Sequence, residues 1–235
     1  MGIIPALDAA ETIGAVVAGT RRHLARVIVV DDGSSDDTAA RAGAAGAEVI
    51  RHPVNRGKGA ALQSAFERLL AERTAIGPGG ATFEGAVTLD ADGQHDPDDI
   101  PRLVDLFRRE RPAIIVGSRA SYFEAMRGAR RAMNLFSCAS LRVFAGIDLP
   151  DSQSGFRLYD ARFLEKVRLL GTRYEAEMEA LMRAAGRGLA VISMPIQLRV
   201  VDGRPTSHYR ALADTLRIVG TVLRLWLRRR LGRRE

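Results

Sequence analysis

Gly85-Ala86-Val87-Thr88-Leu89-Asp90-Ala91-Asp92-Gly93-Gln94 is an apolar run that ends in two carboxylates spaced i, i+2, and Pro97 follows three residues after Gln94. Open α/β sheets place ligands at the C-terminal ends of their strands. Two carboxylates on one turn attract a hard divalent cation, and such a cation can bridge a diphosphate. Taken alone, a D-x-D pair also fits a solvated acidic turn that caps the next helix.

On the N-terminal side, Val27-Ile28-Val29-Val30 has no polar break and reads as a strand covered on both faces. It stops at Asp31-Asp32-Gly33-Ser34-Ser35-Asp36, where Ser35 or Asp36 can cap the helix that follows. Gly2 to Pro5 is the end of a short strand, Glu11 to Leu24 a helix, Ala47 to Ile50 a strand and Gly57 to Leu70 a helix. Arg73 to Phe83, with Gly77-Pro78-Gly79-Gly80, reads as a surface loop. On the C-terminal side, Pro97 starts a helix to about Glu110, and Ala113 to Gly117 is the fifth strand. Further helices are expected over 128–145, 174–185 and 212–231, with strands over 155–159 and 189–200. The alternation predicts an α/β protein with a mostly parallel sheet flanked by helices.

The 235 residues are 46% hydrophobic and 27% charged, enough for a substantial core. The single cysteine, Cys138, excludes an internal disulfide framework and sits among apolar residues that predict burial. The net charge is +7. Such a surplus suits nucleic acid, anionic lipid or phosphate substrates. With 6% aromatics and no arginine–aromatic interleaving, a nucleic-acid stacking surface is poorly supported. No apolar run reaches the length of a membrane span.

Five clusters carry chemistry. Asp31 and Asp32 end a buried strand, where a carboxylate can accept from a nucleobase N–H or a ribose hydroxyl. Asn55-Arg56-Gly57-Lys58-Gly59 opens a helix, whose free N–H groups favour an anion. Asp90, Asp92, His95, Asp96, Asp98 and Asp99 lie within ten residues, a density that repels itself without a counter-ion; His95 reads as an exposed turn residue. Arg119, Arg130, Arg131 and Asn134 offer guanidinium groups to a phosphate, although in so arginine-rich a chain a solvated face is the plainer reading of Arg130. Asp151 precedes a short strand, and Glu175 and Glu177, two apart on a helix, cannot both point inward.

Taken in order, Pro5-Ala6-Leu7-Asp8, the Val30-Asp31-Asp32-Gly33-Ser34-Ser35 block, Asn55 to Gly59, Asp90 to Gln94, Gly117-Ser118-Arg119 and Ser154-Gly155-Phe156-Arg157 resemble family 2 glycosyltransferases of the GT-A fold, near the dolichyl- and polyprenyl-phosphate sugar synthases. The resemblance implies a catalytic domain over residues 1–210, followed by a basic amphipathic helix over 211–235. It implies that Pro5, Ala6, Asp8, Asp32, Lys58 and Asp90 line a nucleotide pocket. Asp90, Asp92 and Gln94 would hold Mg²⁺ or Mn²⁺ on the diphosphate of a nucleotide-sugar donor. Arg119 and Arg131 (or Arg130) would receive an acceptor phosphate, Asp151, Asp92 and Glu177 would serve catalysis, and Arg204 and Ser207 would close a loop over the donor. The implied reaction is an inverting sugar transfer, with a lipid phosphate as acceptor; a hydroxyl acceptor would instead need Asp151 as base.

Three departures from the family pattern stand out. The first strand looks nearly absent, Ala9 replaces a usual Glu, and no membrane-spanning helices follow the catalytic segment. The expected setting is cytoplasmic, with peripheral contact to an anionic membrane face. Leu212, Leu216, Val219, Leu223 and Trp226 fall on one side of the terminal helix, and Asp214, Arg217, Thr221, Arg224 and Arg228 on another. That pattern fits packing on the domain or a lipid anchor. A sugar nucleotidyltransferase is disfavoured because Pro5 to Ala10 has no glycine, and a non-catalytic basic binder has no use for Asp32, Asp90 and Asp92.

Overall fold

The computed structural model describes residues 1–76, 83–123, 128–199 and 211–231. Among them, strands β1 (Gly2–Ala6), β2 (Val27–Asp31), β3 (Glu48–Arg51), β4 (Gly85–Thr88), β5 (Ile114–Ser118), β6 (Arg157–Asp160) and β7 (Val191–Pro195) form one sheet in the order β3-β2-β1-β4-β6-β5-β7. β3, β2, β1 and β4 run parallel, as do β5 and β7, while β6 is antiparallel to both its neighbours. The helices are α1 (Ile13–Arg21), α2 (Thr38–Ala44), α3 (Lys58–Ile76), α4 (Ile100–Glu110), α5 (Gly128–Ala145), α6 (Ala161–Lys166), α7 (Glu175–Gly186) and α8 (Ala211–Arg230). The sequence pattern missed α6 and overextended the last strand.

The β-branched run of β2 is buried throughout because each face has its own core. Ile28 and Val30 join Ala61, Leu62, Ala65 and Phe66 of α3 on one side. Val27 and Val29 join Ile13, Val16 and Val17 of α1 on the other. Each such side chain taken fully from water contributes about 1.5–3 kcal/mol. Asp36 accepts from the Thr38 amide at 3.0 Å, which anchors the start of α2 as its position predicts.

The first strand is not vestigial. All five residues of β1 are buried, paired from Gly2↔Val27 through Ala6↔Asp31, and β4 binds the opposite edge. Five residues suffice because this interior strand has bonds on both edges and a core on each face.

The terminal helix also departs from the expected face. α8 packs against both α5 and α7, burying Ile218, Thr221 and Val222, while Leu223 is 41% exposed. Trp226 meets Phe144 of α5 edge to face, with centroids 5.6 Å apart. Contact with two helices at once, rather than one flat surface, shifts the buried stripe from the predicted one. Leu212 and Leu216 have side chains outside the described residues.

Candidate active site

The C-terminal ends of β1, β2 and β4 open into a cavity of about 160 Å³. Pro5, Ala6, Asp8, Asp32, Lys58 and Asp90, the six residues expected at a nucleotide, all line it. Asp92 and Ala9 line it too, and so do Arg173 and Tyr174, which sequence reasoning missed. Arg204 and Ser207 lie outside the described residues, as does the side chain of Arg130.

Asp32 is 3% exposed and tightly held. Its Oδ1 accepts from His52 Nδ1 at 2.7 Å and the Arg56 amide at 2.9 Å, and its Oδ2 accepts from the Gly57 amide at 2.6 Å. His52 Nε2 lies 2.9 Å from Ser64 Oγ on α3. One lone-pair position of Oδ2 is left for a ligand N–H or O–H. Gly57 has φ +96°, and a Cβ there would strike the Thr172 carbonyl, so the helix start and the turn before α7 close together only over glycine. Replacing His52 by Ala should raise the Kd for a nucleoside diphosphate about 10-fold, the effect of one lost bond to a buried carboxylate. Calorimetric titration checks this, and an unchanged Kd would refute the role of His52.

Asp90 and Asp92 have different environments. Lys58 Nζ sits 2.6 Å from Asp90 Oδ1 and 2.9 Å from Glu177 Oε1, and 5.7 Å from the Tyr174 ring centre. A Cβ on Gly155 would collide with both Asp90 and Lys58, so the pair nests against bare backbone. Burial opposes ionisation of Asp90, but the Lys58 ammonium outweighs it and holds the carboxyl well below its usual range. Burial likewise opposes the charge on Lys58, and Asp90 and Glu177 overrule it, so the ammonium persists. Asp92 moves the other way: burial and the Asp90 charge push its carboxyl up.

The acidic density after β4 resolves largely without a metal. Asp96 pairs with Arg199 at 2.6 Å, Asp98 with Arg22 at 2.9 Å and His23 at 2.8 Å, and Asp99 with Arg102 at 2.5 Å. Asp92, whose Oδ1 accepts from the Gln94 amide at 3.0 Å, is the member of the run with no ion pair among the described residues. His95 is not an exposed turn residue. It is 3% exposed, packs on Phe156 at 5.5 Å, and burial lowers its pKa to about 4, so the imidazole is neutral. The turn folds back under β4, where the Asp90 amide points at His95 Nδ1 at 3.3 Å.

Asp151 is fully buried and spent. Oδ2 accepts from the Arg119 amide at 3.1 Å and Arg119 Nε at 2.8 Å, while Oδ1 accepts from Arg119 Nη2 at 3.2 Å and the Gln153 amide at 3.0 Å. Its four lone-pair positions are occupied. Burial opposes its ionisation, but Arg119 overcomes that and lowers the carboxyl pKa. The Arg119 charge reaches Asp90 and Asp92 as well. Asn134 of α5 accepts from the Ser152 amide at 3.2 Å, tying α5 to this turn. Arg131 is exposed on α5, and among the described residues no hydrogen bond or ion pair ties it to the Arg119–Asp151 pair.

Glu175 and Glu177 are both buried, contrary to the expectation that one would face out. Glu177 faces Lys58, whereas Glu175 turns back to accept from the amides of Thr172 and Arg173 at 3.1 and 3.2 Å. Lying at the start of α7, it satisfies the turn instead of projecting from the helix.

No group of three or more His, Cys, Asp or Glu side chains forms a ready metal cage among the described residues. The donor set nonetheless fits a hard cation, because Mg²⁺ and Mn²⁺ accept one or two carboxylates and complete their shells with water and phosphate oxygens. Asp92, short of positive charge, and the exposed Gln94 on the same turn supply such oxygens.

The sequence model of glycosyl transferase family 2 matches residues 3–168. The UDP-N-acetylglucosamine–dolichyl-phosphate N-acetylglucosaminyltransferase of Methanococcus voltae is 31% identical over 222 residues, covering 83% of this chain and 83% of that protein. The undecaprenyl-phosphate mannosyltransferase of Micrococcus luteus is 27% identical, covering 83% of this chain and 81% of its own. Among solved structures, Mycobacterium tuberculosis glucosyl-3-phosphoglycerate synthase, in complex with Mn²⁺, UDP and phosphoglyceric acid, superposes with a TM-score of 0.69 at 23% identity, covering 96% of this chain and 77% of that one. The sheet is therefore that of the GT-A fold.

Proposed function

The chain belongs to glycosyl transferase family 2, and on that premise we propose that it transfers a sugar from a nucleoside diphosphate sugar to the phosphate of a polyprenyl-type lipid, with inversion at the anomeric carbon. The observation that carries this reading is the occupied carboxylate of Asp151. A hydroxyl acceptor needs a base to remove its proton. Asp151 has no free lone pair and serves to aim Arg119. A phosphate is already an anion at neutral pH and needs a positioned guanidinium rather than a base. The two lipid-phosphate sugar transferases named above accord with that acceptor.

In this reading Asp32 accepts from the base or ribose, and the pocket floor of Pro5, Ala6 and Asp8 seats the nucleoside. Asp92 and Gln94 hold a divalent cation, which when bound supplies Lewis-acid stabilisation of the leaving diphosphate. Lys58 keeps Asp90 ionised and holds Glu177 in place, so Glu177 presents a placed carboxylate to the sugar. Arg119 draws the acceptor phosphate toward the donor. A donor screen with Mn²⁺, scored by released nucleoside diphosphate with and without a short polyprenyl phosphate, tests the reading. Turnover that depends on the phosphorylated lipid is the expected result, and equal turnover with the dephosphorylated alcohol would overturn the acceptor assignment.

The same chain would meet its acceptor at an anionic membrane surface. No helix among the described residues is long and apolar enough to cross a membrane. α5 instead exposes Leu135 (53%), Phe136 (52%) and Val143 (73%), α8 exposes Leu223 and Leu227, and Leu231 is exposed just past its end. Arginines 131 and 142 on α5 and 224, 228 and 230 on α8 are exposed alongside, which suits an interfacial surface. The double change Phe136→Glu with Leu227→Glu should abolish co-sedimentation with anionic vesicles without lowering Tm, because both positions are exposed. Unaltered sedimentation would remove this surface from the reading.

A further inference from the structure

A second cavity, of about 460 Å³, lies between α7 and α8. Arg183, Arg217, Arg224 and Arg228 line it, with Glu175 and Glu179 as its acids. Among the described residues that line it, four guanidinium groups thus meet two carboxylates, and Glu179 is paired with Arg183. Glu175 accepts from two backbone amides of the turn before α7. Glu179 accepts from Arg183 Nε at 2.7 Å and from the amides of Leu170 and Gly171 at 2.9 and 2.7 Å. Arg183 is 6% exposed and Glu179 is 2% exposed, so the inner end of the cavity is a built, buried charge pair. Arg217, Arg224 and Arg228 are exposed at its outer side on one stripe of α8. Beside that stripe run Leu223, Leu227 and Leu231, all exposed.

We infer that this cavity binds the phosphate group of an anionic lipid headgroup, with the neighbouring leucine stripe setting it at the level of the headgroups. Clustered guanidinium groups match phosphate oxygens through paired N–H donors. The leucines select a lipid as the source of that phosphate, because a soluble anion gains nothing from them. The inference rests on the membrane reading above for its ligand, but not on the sugar-transfer reading.

The cavity and the donor pocket flank one turn. Leu170 and Gly171 line the arginine cavity, and Arg173 and Tyr174, two residues further on, line the donor pocket. The turn between them is clamped to α3, where the Ala60 amide donates to Thr172 O at 3.0 Å. Glu179 holds the other end of the same turn through the Leu170 and Gly171 amides. A phosphate drawn to Arg183 and its neighbours therefore acts on the segment that carries Arg173 and Tyr174, and lipid binding stiffens the donor pocket.

The test uses the full chain and vesicles of phosphatidylcholine with or without 30 mole per cent phosphatidylglycerol. Three proteins are compared: wild type, Arg217→Gln with Arg224→Gln, and a control, Arg108→Gln with Arg109→Gln, which removes the same charge from the exposed side of α4. The cavity variant should lose roughly 30-fold in affinity for the anionic vesicles, and the control much less. Equal losses in both would mean diffuse charge attraction and would overturn the site. Arg224→Gln alone, at an exposed position with no ion pair among the described residues, guards against a folding defect and should lose about 5-fold. Hydrogen exchange at residues 169–175 should slow with anionic vesicles in wild type and not in the cavity variant; no slowing in wild type would overturn the coupling. Inorganic phosphate at 50 mM forms a further arm. Protection by vesicles and not by free phosphate supports the headgroup, whereas equal protection by free phosphate would overturn the lipid assignment. Neither readout involves a sugar donor, so failure here is distinct from failure of the proposed transfer.

Discussion

Asp92→Ala should reduce turnover by at least about 1,000-fold. Loss of a cation that neutralises a leaving diphosphate removes several kcal/mol of transition-state stabilisation, and each 1.36 kcal/mol is tenfold in rate. The size follows from how charge is distributed in the site. Lys58 already neutralises Asp90, and arginine or histidine side chains neutralise Asp96, Asp98 and Asp99. Asp92 is left as the carboxylate with negative charge to offer, and burial with the Asp90 charge pushes its pKa up for the same reason. The variant should fold as stably as wild type or more so, because one like charge is relieved. Two measurements check this: released nucleoside diphosphate with Mn²⁺, and the rise in Tm that UDP produces with Mn²⁺ over UDP alone. A variant that keeps a near wild-type rate, or wild type that works at full rate with the metal chelated, would refute the metal role.

The second large effect is on stability. Arg157→Met should lower it by about 3–5 kcal/mol, with Tm falling by roughly 10 °C for a chain of this size. Arg157 is fully buried at the start of β6. Its guanidinium donates to Ser154 O at 2.7 Å, Ser152 O at 2.8 Å and Glu177 O at 2.7 Å. Methionine fills much of the volume but leaves those three carbonyls without their donor in a place water does not reach. The damage extends to function, because the 151–155 turn carries Asp151 and α7 carries Glu177. Thermal unfolding measures the first effect. If Tm falls by less than 3 °C, the clamp is not what orders the turn.

Much of this was legible from local chemistry. The runs at 27–30 and 85–89 announced buried strands because an uninterrupted apolar β-branched segment has little alternative to being covered on both faces. The acids at their ends announced the site, because carboxylates that follow a buried strand fall at one edge of an open sheet. Six residues chosen for the nucleotide pocket do line one cavity. What escaped were partnerships. His52 supports Asp32 from 20 residues away, and nothing in the composition around His52 signals it. The acidic run after β4 looked in need of a metal throughout, yet Arg22, His23 and Arg199 neutralise most of it from distant elements. Asp151 was the candidate base should the acceptor be a hydroxyl, and Arg119 with the Gln153 amide has taken its lone pairs. The first strand looked too short, because its strength comes from two neighbours rather than from length.

The sequence by itself determined the alternation of elements, the sheet with its acidic C-terminal rim, and the types of group available there, because backbone propensity and hydrophobic period act over a few residues. Only the tertiary structure decided which carboxylate is neutralised by lysine and which is left for a cation, which arginine is aimed and by what, and which face of α8 is buried. Those outcomes depend on charges and surfaces meeting from segments far apart in the chain, where Coulomb energy and desolvation follow distance and burial, and neither is written in residue order.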